Sequence, residues 1–151
     1  MTIYKTYKGW FTPKNPQKYK GDPTNIVYRS LWEKKVMEWL DTNSNIIEWQ
    51  SEELYVPYLS PMDNRRHKYF PDFLVKAKKP DGSIVTMMLE VKPHNQTKEP
   101  EVKKRKTRRY ITEVMTWAVN DAKWKYAREY CKDRGWEFRI LTEKELGITY
   151  K

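Results

Sequence analysis

One cysteine, Cys131, and two histidines in 151 residues leave no means of building an internal disulfide or a zinc cage rich in Cys and His. A reducing, intracellular setting is expected. Long apolar runs are missing as well. No stretch approaches the roughly 18 consecutive apolar residues of a membrane span, and the opening MTIYKTYKGW lacks the apolar core of a signal peptide. Neither membrane insertion nor export is therefore expected. There is no internal repeat, and the length suggests one domain, large enough to bury a core without metals or disulfides.

What the chain does have is positive charge, a formal +10, and it is localised. Residues 1–20 carry five lysines and no acid, and residues 98–109 (KEPEVKKRKTRR) carry seven bases and two acids, while the remaining residues balance at 18 of each. Two basic segments flank a neutral body with 7 Trp, 11 Tyr and 4 Phe. Such a distribution suits a polyanion, because neutralising phosphates releases counterions and drives binding. A nucleic acid is the partner it suggests.

Pro13, Pro16 and Pro23 with Gly9 and Gly21 break any periodicity over residues 1–25, which read as an extended basic arm before a single domain at 26–151. Tyr28, Trp32, Val36, Trp39 and Leu40 recur at helical spacing. Ile46 to Gln50 and Leu54 to Tyr58 read as short strands. Residues 69–78 (YFPDFLVKAK) and 83–92 (SIVTMMLEVK) form a hairpin closed through Pro80, Asp81 and Gly82. A polar, basic loop follows at 93–109. One long helix or two consecutive ones then run from about Thr107 to Arg134, with Tyr110, Val114, Trp117, Ala118, Trp124, Ala127 and Tyr130 on the apolar stripe and Gly135 as the stop. Trp117, Trp124 and Trp136 are assigned to the core by that spacing. An alternating strand at 136–141 and a capping box at Thr142 and Glu145 complete an α/β chain, in the order α-β-β-β-α-β-α, with a mixed sheet flanked by helices.

On a strand, side chains two apart share a face, so Glu90 and Lys92 project together. Pairing through the turn can bring Asp72 beside Glu90. Two carboxylates on adjacent strands suit a hard divalent cation such as Mg²⁺, commonly held by one or two protein carboxylates plus substrate phosphate. A lysine beside them can orient a nucleophile or stabilise developing negative charge. An ordinary charged hairpin face would carry the same residues, and spacing alone leaves both readings open. Glu33 is also double-edged, since Ser30-x-x-Glu33 matches a capping box that needs no chemistry.

The string from Pro71-Asp72 to Glu90-Val91-Lys92 resembles the P-D…(D/E)-x-K signature of the restriction-endonuclease-like nucleases. It lies within a longer match, YRSLWEKKVMEWLD at 28–41, RRHKYFPDFLV at 65–75, MLEVKP at 88–93 and NDAKWKYAREYCKDRGWEFRILTEKEL at 120–146, which resembles TnsA-type transposase endonucleases. The arm at 7–25 and the basic QTKEPEVKKRKTRRY at 96–110 are similar to those of head completion nucleases of large contractile-tailed phages. The resemblance implies a restriction-endonuclease-like fold and Mg²⁺-dependent cleavage of DNA, with Mn²⁺ as a substitute. It also implies that Glu33, Asp72 and Glu90 gather metal and water while Lys92 assists catalysis, which raises Glu33 above a cap.

The expected role is the processing of packaged DNA, or preparation of the portal end for the tail, in the host cytoplasm during phage assembly or in the virion head. Capsid, portal and other head-completion proteins are the implied partners. Phosphate contacts are expected from Arg65, Arg66, Lys103, Lys104, Arg105, Lys106, Arg108 and Arg109. His94, just after Lys92, reads as an exposed loop residue. Two other functions compete: a structural DNA-binding head or portal protein on a nuclease-like fold, and a transposon-end endonuclease subunit, which would need a further DNA-binding domain. Oligomeric state is not legible.

Overall fold

The computed structural model describes residues 8–147. Its elements are β1 (Gly9–Phe11), β2 (Ile26–Tyr28), α1 (Leu31–Thr42), β3 (Ile46–Ser51), β4 (Val56–Leu59), β5 (Arg66–Tyr69), β6 (Phe73–Lys78), β7 (Ile84–Val91), α2 (Arg108–Arg134), β8 (Glu137–Leu141) and α3 (Glu143–Leu146), with 3₁₀ turns at Pro16–Lys18 and His94–Gln96. The main sheet has the strand order β3-β6-β7-β8. β6 runs antiparallel to both β3 and β7, whereas β8 returns parallel to β7 after α2. The result is the expected α/β class, a mixed sheet flanked by helices.

The full order is longer than α-β-β-β-α-β-α, which counts one strand fewer than the four read from the sequence between the first two helices, where the structure has five. β1 and β2 precede α1 as a separate pair, and β4 and β5 form a second ribbon outside the main sheet. Helices and main-sheet strands alone run α1-β3-β6-β7-α2-β8-α3. The expected strand over 69–78 is in fact two. Arg66–Tyr69 pairs with β4, Phe70 and Pro71 break the chain, and Phe73–Lys78 enters the sheet. Pro71 has no N–H to offer a ladder, which makes it a natural break. The hairpin itself closes as expected, with Gly82 at φ 89 donating to Lys79 O.

Alternation along β6 and β7 sorts the core into two halves. Phe73, Val75, Leu89 and Val91 pack with Trp32, Val36, Met37 and Leu40 of α1. Met88 faces the other way, onto Trp124, Ala127 and Cys131 of α2 with Val56, Tyr58 and Tyr69 of the ribbon. Ser30 caps α1 by accepting the Glu33 N–H at 3.1 Å. Gly135, at φ 72, ends α2 in the left-handed conformation that glycine adopts without strain.

From Gly9 onward the basic arm packs against the domain; residues 1–7 lie outside the described residues. Phe11 and Tyr19 join the α1 core, and buried Asp41 accepts the N–H groups of Lys14 and Asn15 at 2.8 and 2.9 Å. Lys18 is used up on the carbonyls of Asp41 and Asn43, so its charge compensates a helix C-terminus. The structure corrects two expectations on helical stripes. Tyr28 belongs to β2 and Trp39 is exposed, leaving Trp32, Val36, Met37 and Leu40 as the buried stripe of α1. Finally, Trp117 is half-exposed and belongs to neither core half, because α2 meets the core mainly from Asn120 onward. Trp124 is buried and Trp136 packs against the second half, as their spacing implied.

Candidate active site

The buried end of β7 carries Leu89, Glu90 and Val91, all within the core, and β6 begins opposite it with Phe73 paired to Leu89. Because Phe73, Leu89 and Val91 face α1, Asp72 and Glu90 face α2. Period-two alternation therefore sets two acids side by side at the mouth of the second core half. The Val91 N–H donates to Asp72 Oδ2 at 2.7 Å, fixing the aspartate to the neighbouring strand. The Tyr69 hydroxyl donates to Glu90 Oε1 at 2.8 Å. On the other side of that carboxylate, Lys92 Nζ stands 3.9 Å from Oε2.

The electrostatics are those of a confined acid pair. Burial drives the Asp72 carboxyl well above the usual carboxylate range, and the charges of Glu90 and Glu33 push it further. Glu90 is also raised by burial, against the opposing pull of Lys92, Tyr69, Asp72 and Lys123. Lys123, from α2, lies 5.8 Å over the Tyr69 ring and has its own pKa lowered, by burial first and by the charge of Lys92. Tyr69 is held neutral by burial and by Glu90.

Glu33 arrives from the opposite face of the sheet, on the first turn of α1. Its carboxylate takes the Arg29 N–H at 3.3 Å and the Ser30 hydroxyl at 3.4 Å, so Ser30 caps the helix while the glutamate reaches the N–H before the cap residue rather than the Ser30 N–H of a full capping box. Burial raises its pKa, and its charge acts on Asp72. Asp72, Glu90 and Lys92 are thus brought together and Glu33 stands at their edge; among the described residues no three Asp, Glu, His or Cys side chains form a metal-sized cluster. Arg29, paired with Glu52, bridges the two groups electrostatically, since Glu33 and Asp72 both act on it.

The basic residues expected to contact phosphate are exposed. Arg65 and Arg66 are exposed at the far end of the β4–β5 ribbon, and Arg66 lies three residues, about 10 Å, from Tyr69 at ordinary strand rise. Lys103, Lys104, Arg105, Lys106, Arg108 and Arg109 are all exposed, with the Lys103 and Lys106 ammoniums 5.9 and 5.0 Å from the Tyr110 ring. His94 is half-buried, its backbone N–H held by Glu143 Oε1 at 2.8 Å. Sequence reading missed Tyr69 as a partner of Glu90 and could not place Lys123. The available signal was the stripe Asn120, Trp124, Ala127, Cys131, which sets Lys123 at its border.

An α/β domain with one buried acid, one half-buried acid and a lysine at the ends of paired central strands is an arrangement suited to an endonuclease. Residues 43–143 match the family described as TnsA-like endonuclease N terminal, and the chain belongs to that family. It is also 42% identical over 144 residues to the head completion nuclease of Enterobacteria phage T4, a similarity spanning 93% of each chain. The family match takes in Asp72, Glu90 and Lys92 and begins after Glu33.

Proposed function

We propose that this protein is a divalent-metal-dependent endodeoxyribonuclease that acts in phage head completion, processing packaged DNA or preparing the portal end for tail joining. The observation that carries the reading is the pairing of half-buried Asp72 with buried Glu90 beside Lys92. Two carboxylates forced up by burial, Asp72 also by the charge of Glu90, are an unfavourable arrangement for an empty protein core. They fit a hard cation, which favours oxygen donors and completes its shell with water and phosphate. Asp72 and Glu90 are the residues that would hold it, and Glu33 would add to the negative field. A bound Mg²⁺ or Mn²⁺ supplies polarisation of the scissile phosphate and a more acidic bound water.

The protein's own groups do the rest. The Val91 N–H and the Tyr69 hydroxyl each occupy one oxygen of their carboxylate, and the other oxygen of Glu90 stands next to Lys92. Lys92 presents its ammonium next to Glu90, where it can donate to a phosphate oxygen as negative charge develops. Arg65, Arg66 and the basic residues from Lys103 to Arg109 grip the backbone, which favours low sequence specificity. Capsid or portal proteins are the partners such a role requires, and the host cytoplasm during assembly or the virion head is where it would act. The test is incubation with supercoiled and linear double-stranded DNA in Mg²⁺, Mn²⁺ or EDTA. Cleavage in either metal and none in EDTA is expected; intact DNA under every metal contradicts the reading.

A further inference from the structure

The N-terminal half of α2 stands off the core, and the loop at 93–109 returns over it to leave a cleft of about 790 Å³. Its walls include Gln96, Arg108, Arg109, Thr116, Trp117 and Asn120. That volume lies within the roughly 300–1,000 Å³ of pockets that enclose a small-molecule-sized group. Trp117 has no ring partner among the described residues and packs in neither half of the core. Asn120 is only 8% exposed, yet its amide makes no side-chain hydrogen bond among the described residues. The amide's polar atoms are not sealed from solvent, so they are free to hydrogen-bond a group that enters the cleft. A half-buried indole beside such an amide, with two guanidiniums at the rim, matches the three parts of a nucleotide: a flat base, its polar edge and its phosphate.

The position fits as well. One wall leaves the active site through Lys92 and Pro93 into the 3₁₀ turn His94–Gln96. The other leaves it along α2, where a second recess of about 330 Å³ shares Thr116 and Asn120 with the cleft and ends at Lys123. Lys123 lies over Tyr69, which is bonded to Glu90. A strand lying in the cleft therefore leads to the acid pair.

We infer that this cleft binds one unstacked nucleotide of a DNA strand, its base on Trp117, its edge at Asn120 and its phosphates at Arg108 and Arg109, so that the preferred substrate carries a single-stranded end or gap. The inference rests on the endonuclease reading for its substrate. A paired base in a duplex is already stacked on both faces and offers this indole nothing, whereas an unpaired base does. Binding is separable from chemistry, which keeps the two readings distinguishable.

The experiment uses the Asp72→Asn protein in EDTA, where nothing is cut, with fluorescence anisotropy of a labelled six-residue oligothymidylate and of a blunt hairpin duplex. Trp117→Leu and Trp117→Phe both keep apolar bulk at a half-exposed position. Trp117→Leu should weaken oligothymidylate binding about 10-fold while changing duplex binding less than about 3-fold, and Trp117→Phe should retain most of the affinity. Arg108→Glu with Arg109→Glu should weaken the oligothymidylate at least as much. Equal affinities for Trp117→Leu and Trp117→Phe, an equal loss on both probes, or no binding of oligothymidylate by the parent protein overturns the inference. A protein that binds in this pattern but never cuts DNA overturns only the endonuclease reading.

Discussion

The Tyr69 hydroxyl donates a 2.8 Å hydrogen bond to Glu90 Oε1, while Lys92 stands 3.9 Å from Oε2 of the same carboxylate. One oxygen is thus anchored from a different ribbon and the other is left to work. Tyr69 is a positioning residue. Its bond to a charged acceptor is of a kind worth about 1.5–3 kcal/mol. Tyr69→Phe should lower kcat about 10-fold with KM for DNA within about 2-fold, since the backbone is gripped elsewhere. Steady-state cleavage kinetics check this, and an unchanged kcat in a folded variant contradicts it.

Asp72 carries a charge that burial and two neighbouring acids oppose. Asp72→Asn removes that charge and keeps an oxygen for the Val91 N–H. In EDTA the variant should be at least as stable as the wild type, by about 1 kcal/mol or about 2–4 °C in Tm. Added Mg²⁺ or Mn²⁺ should raise the Tm of the wild type and leave that of the variant unmoved. Thermal melts with and without metal decide the matter; a variant several degrees less stable in EDTA would mark Asp72 as structural.

Glu33 serves the helix start and lies next to the acid pair, and two substitutions separate these roles. Ser30→Ala removes the side-chain acceptor of the Glu33 N–H and should cost about 1 kcal/mol of stability with little effect on cleavage. Glu33→Gln keeps an oxygen for the Arg29 N–H and should cost little stability, yet slow cleavage 10-fold or more. If the two variants lose stability and activity in the same proportion, the glutamate is only a cap.

Cys131 is buried under α2, and burial raises its thiol to about 11. In the unfolded chain the thiol ionises near pH 8.5, whereas in the folded chain it stays protonated until the higher value. The unfolded state therefore releases the proton first, and stability present below about pH 8.5 is lost as pH rises toward about 11. The gap in urea midpoint between wild type and Cys131→Ala should narrow from pH 8 to pH 10. A constant gap contradicts the assignment.

The hairpin and its Asp72–Glu90–Lys92 triplet were legible in the sequence because strand alternation and a Pro-Asp-Gly turn fix both register and face. The break at Phe70 and Pro71 was not, since YFPDFLV keeps an apolar rhythm straight through it and only pairing with β4 claims Arg66–Tyr69 for the ribbon. Tyr69 and Lys123 reach the site from separate elements, a consequence of tertiary packing that no local spacing encodes. Trp117 falls on the apolar stripe by period alone; what removes it from the core is that α2 extends beyond the sheet it packs on. The docking of the arm depends on Asp41 and Trp49, both distant in sequence from the residues they hold.

The most direct measurement compares wild type with Lys92→Ala and Glu90→Gln on linear double-stranded DNA in Mg²⁺, alongside DNA retention in EDTA and a thermal melt. The account predicts cleavage by the wild type, a loss of 100-fold or more in both variants, DNA retention within a few-fold, and folded proteins throughout. Cleavage that persists in folded Lys92→Ala and Glu90→Gln would place the chemistry elsewhere and contradict it.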